Sequence, residues 1–143
     1  MSYLILISHG QFAEGLKDAL GMFIGDDIKT VKAIGLQSGE STDQFQNRFK
    51  ALLSEVGKGA ELFVLGDIIG GSPLTTAIDV LNQENLLESA VVLGGMNFPM
   101  ALNTAILKDN ATKEELITNV LREGATALKQ FEITRETEDD DEI

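Results

Sequence analysis

The chain contains a single histidine, and the run Leu4-Ile5-Leu6-Ile7-Ser8-His9-Gly10 delivers its imidazole to a glycine turn at the end of an aliphatic stretch. A neutral imidazole is a nucleophile at whichever ring nitrogen is left unbonded, and the partner of the other nitrogen decides which one that is. Asp67 closes a second aliphatic run, Leu62-Phe63-Val64-Leu65-Gly66, and supplies a carboxylate suited to that partnership. A carboxylate accepting one ring N–H fixes the tautomer and offsets the positive charge that forms when the far nitrogen takes up an electrophile. Read singly, His9 is a strand-end histidine and Asp67 a turn or helix-capping aspartate. Together at one rim they form a pair fit for group transfer.

Two further stretches bear on what would be transferred. Gly70-Gly71-Ser72-Pro73 and Gly94-Gly95-Met96-Asn97-Phe98-Pro99-Met100 each run from glycines through a capping residue to a proline, the order that opens a helix. Ser72 is expected as the cap of one helix, with Pro73 its first residue, and Asn97 as the cap of the other. Free N–H groups and the helix dipole at such starts favour an anion such as phosphate. None of the three turns has a lysine or arginine. Backbone amides must then hold the anion, with glycines 70, 71, 94 and 95 permitting close approach. Gly-Gly before a helix is also ordinary loop punctuation. Gly10, Asn97, Pro99 and Met100 are expected at the pocket rim and Phe98 in the core, while Ser8 and Ser72 are rival acceptors of a phosphoryl group.

The elements that position these residues follow from apolar spacing. Leu4 to Ile7 and Leu62 to Leu65 read as strands buried on both faces, and Ala90 to Leu93 as a fourth strand. Ile28 to Ile34 alternates and reads as a second strand nearer an edge. Phe12, Leu16, Ala19, Leu20 and Phe23 line one helical face up to Gly25. A capping box at Ser41 and Gln44 opens a helix that buries Phe45, Phe49, Leu52, Leu53 and Val56 and stops at Gly57. Leu74, Ala77, Ile78 and Leu81 serve the helix after Ser72, and the helix after Asn97 extends to about Leu107. A second box, Thr112 with Glu115, opens a helix through Leu116, Ile117, Val120, Leu121 and Leu128. Phe131 to Thr134 alternates like a short, half-exposed strand. The order predicts an α/β fold, a doubly wound, mainly parallel sheet with helices on both faces. Right-handed crossovers bring His9, Asp67 and the Gly94-Gly95 turn to one rim.

A length of 143 residues fits one domain, expected over residues 1–135. Six acids occupy the last eight residues, so 136–143 is expected to be a solvated, disordered tail, and removing those six charges from the net −12 leaves −6 for the body. That balance argues against nucleic acid or an anionic membrane as partner. With no cysteine and one histidine, thiolate and multi-histidine metal sites are excluded, and no cofactor is expected. No basic leader opens the chain and no apolar run approaches the roughly 20 residues of a membrane span, so a cytoplasmic location without membrane insertion is expected.

Ser8-His9-Gly10-Gln11-Phe12-Ala13-Glu14-Gly15, Asp67-Ile68-Ile69-Gly70-Gly71-Ser72-Pro73 and Gly94-Gly95-Met96-Asn97-Phe98-Pro99-Met100, in this order, resemble the mannose-type (mannose, fructose and sorbose) IIA component of the bacterial sugar phosphotransferase system. The resemblance covers residues 1 to about 133. It implies that His9 accepts a phosphoryl group from the phosphohistidine of HPr and passes it to a IIB component, which serves a membrane sugar permease. It also implies that Asp67 orients His9 and that Gly70, Gly71 and Ser72 match a phosphate-binding turn. It further implies a homodimer in which a C-terminal antiparallel edge strand, here Phe131 to Thr134, is exchanged between subunits. Ile68-Ile69 stands where the family often has Leu-Phe. Some relatives continue into a fused IIB domain; this chain ends in acids, so IIB is expected to be a separate protein.

Two other phosphohistidine chemistries compete. A histidine phosphatase or mutase needs a second histidine and a basic pocket, and the chain has only one histidine and no basic residue in the three turns. The phosphohistidine subunit that feeds dihydroxyacetone kinase is similar in fold, but the Asp-Ile-Ile-Gly-Gly-Ser-Pro and Asn-Phe-Pro-Met stretches fit it less well. A flavodoxin-like module holding a mononucleotide at the same rim would have no need of His9.

Overall fold

The computed structural model describes residues 1–134; the acidic segment 136–143 lies outside them. Among the described residues the helices and strands follow as β1 (Ser2–His9), α1 (Phe12–Ile24), β2 (Val31–Leu36), α2 (Thr42–Val56), β3 (Glu61–Gly66), α3 (Ser72–Gln83), β4 (Val91–Leu93), α4 (Phe98–Leu107) and α5 (Lys113–Thr126). The four strands are parallel and ordered β2-β1-β3-β4. The chain winds one way from β1 to β2 and the other way from β3 to β4. The reversal falls between β1 and β3, where ligands of open α/β sheets bind beyond the carboxyl ends of the strands.

Strand β1 is central, and its alternation divides the core. Leu4 and Leu6 face a cluster with Ala13, Leu16 and Leu20 of α1, Met100 and Ala101 of α4, and Leu116 and Val120 of α5. Ile5 and Ile7 face the opposite cluster, with Phe45 and Phe49 of α2 and Leu74, Ala77 and Leu81 of α3. All four β1 side chains are fully buried, which accounts for an aliphatic run without polar interruption. Both expected capping boxes form: Ser41 Oγ accepts the Gln44 N–H and Thr112 Oγ1 accepts that of Glu115, with the glutamine and glutamate side chains reciprocating.

Several expectations are corrected. Gly25 to Thr30 is a 3₁₀ helix, so the second strand starts at Val31 and not at Ile28. Gly25, at φ +59°, ends α1, and the Thr30 hydroxyl donates back to the Asp27 carbonyl, which tightens the segment into a turn. Leu16 and Leu20 of the expected α1 face are buried, but Ala13 and not Phe12 leads the stripe; Phe12 and Phe23 are exposed, the latter's ring tilted against that of Phe98 with centroids 5.1 Å apart. Small Ala13 fits against the sheet where a phenyl ring would not. Helix α5 ends at Thr126, leaving Leu128 exposed. Residues 131–134 carry no regular secondary structure in the single chain, and Phe131 and Ile133 are exposed. Among the described residues no helix is long and apolar enough to cross a membrane.

Candidate functional site

His9 is the last residue of β1, and Asp67 follows β3, the neighbouring strand, so the sheet itself sets the two side chains side by side. Asp67 Oδ2 accepts both the backbone N–H of His9 and its ring Nδ1, each at 2.9 Å. The second oxygen, Oδ1, accepts the N–H of Ile68 at 2.8 Å. Burial works to raise the Asp67 carboxyl, but the hydrogen bonds from the His9 backbone and ring and from Ile68 outweigh it and hold the pKa below the ordinary value. An ionised Asp67 can only accept, so Nδ1 must carry the proton, and in the neutral ring the lone pair then lies on Nε2. The Asp67 side chain is 14% exposed and that of His9 48%, so the ring is anchored at Nδ1 while about half of the side chain faces solvent.

Gly71 explains how the ring fits. A Cβ at this position would stand 2.9 Å from His9 Cε1 and 3.6 Å from Nε2, so only glycine leaves room for the imidazole. Its amide donates to the Ile68 carbonyl at 3.2 Å and is not free for an anion. Gly71 also takes the N-cap position of α3, with φ −78° and ψ 156°. Ser72 is therefore the first helical residue and not the cap, and Pro73 the second; the extended backbone of Gly71 moves the helix start back by one. The first-turn amides of Ser72 and Leu74 point out of the helix end, since proline has none and only later N–H groups find partners within the helix. Ser8, by contrast, is fully buried, and its hydroxyl accepts the Ala13 N–H at 2.8 Å. It stabilises the start of α1 and is no rival acceptor.

The other rim residues divide. Gly10 adopts φ +58° beside His9, a left-handed conformation suited to glycine, and donates to the Leu36 carbonyl at 2.8 Å. Asn97 caps α4 by accepting the Met100 N–H, and its Nδ2 donates to the Gly124 carbonyl of α5, both at 3.0 Å. Met100 is 4% exposed and lies against Gly124, where a Cβ would meet its Cγ at 2.5 Å. It is core and not rim, because the helix turn after Pro99 swings it under α5. Met96 is buried with it, while Phe98 is half-buried beside the same cluster. Pro99 is half-buried. Gly94 admits Ile69, whose Cδ1 would stand 2.6 Å from a Cβ there. Ile68, Ile69 and Phe12 are exposed in the segments flanking His9 and Asp67.

On the β2 side of the rim stands a network that local sequence pattern does not mark. Arg48 on α2 grips Glu40 through Nε and Nη2, both at 2.7 Å, and its Nη2 also donates to the Gly35 carbonyl at 2.7 Å. Gln37 donates its side-chain amide to the same carbonyl at 2.8 Å and its backbone N–H to Glu40 at 2.9 Å, and accepts the Gln11 amide at 3.2 Å. The hydrogen bonds from Arg48 and then Gln37 pull the Glu40 carboxyl down to about 2 against the effect of burial, and those of Glu40 raise Arg48. Arg48 lies 39 positions from His9, and its only sequence signal is a cation on a helix that follows Glu40 and the Ser41 box.

A family model described as the PTS system fructose IIA component matches residues 3–121. The chain is 25% identical over 136 residues to the fructose-specific EIIA component of Bacillus subtilis (strain 168), covering 95% of this chain and 88% of that protein. It is 24% identical over 140 residues to the sorbose-specific EIIA component of Lacticaseibacillus casei, covering 96% and 98%. Among solved structures, the mannose/sorbose specific IIA subunit from Enterococcus faecalis superposes with a TM-score of 0.80 at 24% identity, covering 95% of this chain and 98% of that one. The IIA protein associated with the fucose utilization operon of Streptococcus pneumoniae gives 0.73 at 28% identity, covering 91% and 96%.

Proposed function

The chain belongs to the mannose-type IIA family of the sugar phosphotransferase system, and from that premise we propose that His9 is its phosphoryl carrier. The observation that supports this most is the Asp67 carboxylate on Nδ1, which leaves Nε2 as an exposed nucleophile. In the proposed step the Nε2 lone pair attacks the phosphorus of phosphohistidine on HPr. The donor P–N bond breaks, and its electron pair returns to the donor imidazole. The ring of His9 becomes cationic while Nδ1 keeps its proton, and Asp67 offsets the charge. The Gly70 amide and the first turn of α3, with the Ser72 hydroxyl, receive the phosphoryl oxygens. The return step hands the group to a IIB component in the cytoplasm, for a membrane sugar permease. No cofactor enters either step.

Phosphoenolpyruvate, the general phosphotransfer enzyme and HPr together should add one phosphoryl group per subunit by intact mass. A phosphoryl on imidazole is lost in mild acid and survives alkali, unlike a serine ester, so the added mass should follow that pattern and vanish in His9→Ala. Mass that persists in acid, or in that variant, would refute the assignment.

The same reading includes a homodimer in which Phe131 to Thr134 pairs with the partner's sheet. Strand β4 lies at the sheet edge and is three residues long, and Phe131 and Ile133 expose their rings and branches to solvent in the single chain. Sedimentation should show a dimer weakened by deleting 131–143 and untouched by deleting 136–143; an intact dimer after the longer deletion would end this reading.

A further inference from the structure

His9 is held from two sides, and only one of them is explained by Asp67. On the β3 side, Asp67 takes the His9 backbone N–H and ring. On the β2 side, the next residue, Gly10, lies on the end of β2: its N–H donates to Leu36, and its carbonyl oxygen sits so close over Gly35 that a Cβ there would be 1.8 Å away. Gly35 is thus the floor beneath the turn that carries His9. The Gly35 peptide is in turn fixed by two donors on one carbonyl oxygen, Arg48 Nη2 and Gln37 Nε2. Glu40 holds both donors' residues, clasping the guanidinium at two atoms and taking the Gln37 backbone N–H. Gln11, one residue beyond Gly10, closes the loop by donating to Gln37.

We propose that Arg48, acting with Glu40 and Gln37 through the Gly35 carbonyl, is a positioning residue for His9. The network fixes the height and tilt of the Ser8-His9-Gly10 turn, so that Nδ1 stays on Asp67 and Nε2 faces the incoming phosphoryl group. The inference rests on the reading of His9 as phosphoryl carrier. A two-pronged guanidinium grip restrains orientation as well as distance, which a lysine ammonium cannot reproduce. Group transfer is sensitive to such restraint, because displacement of a reacting atom by about 1 Å can cost on the order of a hundredfold in rate. Arg48 needs no contact with the phosphoryl group to have this effect.

The test compares wild type with Arg48→Leu, Arg48→Lys and Gln37→Met, the last removing the amide from a half-buried loop residue outside the helices and strands. Two readouts separate positioning from bulk stability. One is the rate of phosphoryl uptake from phospho-HPr, split into its maximum and its half-saturating donor concentration. The other is the nitrogen NMR signature of the unphosphorylated His9 ring. Arg48→Leu should lower the maximal rate about tenfold with the half-saturating concentration within twofold. Its His9 ring should shift from a dominant Nδ1–H tautomer towards a mixture. Gln37→Met should move both readouts the same way by a smaller factor, and Arg48→Lys should fall between wild type and Arg48→Leu. A lowered melting temperature with wild-type tautomer and maximal rate would overturn the proposal, as would a raised half-saturating concentration alone, which would make Arg48 a docking residue. If Arg48→Leu does not fold, Gln37→Met decides by the same criteria. Absence of phosphorylation in wild type would instead refute the carrier reading, while the tautomer comparison would still report on Arg48.

Discussion

The two ends of β1 hold similar groups to opposite effect. At its start, Lys108 Nζ reaches the Ser2 carbonyl at 3.3 Å, the Ser2 hydroxyl at 3.2 Å and Asp109 Oδ2 at 3.0 Å, while the Ser2 hydroxyl donates to Asp109 Oδ1. Three acceptors surround an ammonium with three protons, and its side chain is 3% exposed. The Ser2 hydroxyl, against burial, and then Lys108 hold the Asp109 carboxyl below its ordinary pKa. At the other end, Ser8 is spent on the α1 backbone and Asp67 on His9 and Ile68, but Nε2 of the half-exposed imidazole has no hydrogen-bond partner among the described residues. A serine, an aspartate and a basic nitrogen make a clamp when every valence is filled. The same group types make the proposed phosphoryl-accepting site when one is left open beside the N-terminus of α3.

That contrast breaks if damage to one end spreads to the other. Asp67→Asn keeps the shape of the side chain but can bond the wrong tautomer and cannot offset the imidazolium. Phosphoryl uptake should fall on the order of 10²- to 10⁴-fold while the melting temperature stays close to wild type. Loss of folding would return Asp67 to the role of a turn aspartate. Lys108→Met strips the Ser2 carbonyl of a donor in a buried place and should cost about 1–3 kcal/mol by urea unfolding, with uptake within twofold of wild type. A large kinetic loss in that variant would erase the distinction between clamp and site. Gly71→Ala sharpens the account of the open end: its Cβ would stand 2.9 Å from His9 Cε1, and uptake should fall about tenfold as the ring is displaced.

The smallest effect concerns acid. Glu40 has a folded pKa of about 2 against 4.5 for the free group, so its ion pair with Arg48 stabilises the fold fully above pH 4.5. That contribution is lost as pH falls from 4.5 towards 2. The depressed Asp67 carboxyl adds a loss of the same sign. Glu40→Gln should therefore flatten, without abolishing, the decline of the urea midpoint between pH 5 and pH 3. An identical decline in both proteins would mean that the ion pair is not formed in solution.

What the sequence disclosed is what depends on neighbours in the chain. The β1 and β3 runs, both capping boxes and the placement of His9 and Asp67 at strand ends follow from local pattern and the handedness of crossovers, and these define the pair at the centre of the site. Met100 escaped because its burial depends on the missing Cβ of Gly124, a residue of another helix. On α1, where Leu16 and Leu20 are buried as their spacing implies, spacing alone favours Phe12 over Ala13 at the head of the stripe, and only the closeness of the sheet decides between a ring and a methyl. Gly71 was legible as a glycine but not as the seat of an imidazole. Arg48 and Glu40 carry no local mark of their tie to Gly35, since that tie spans the β2–α2 loop and exists only once the sheet has formed.

The most direct test of the central claim is the site of attachment on the ring. Nitrogen and phosphorus NMR of the protein labelled at His9 and phosphorylated through HPr should show phosphorus coupled to Nε2, with Nδ1 still protonated against Asp67. Phosphorus coupled to Nδ1, or no coupling to either ring nitrogen, would contradict the account.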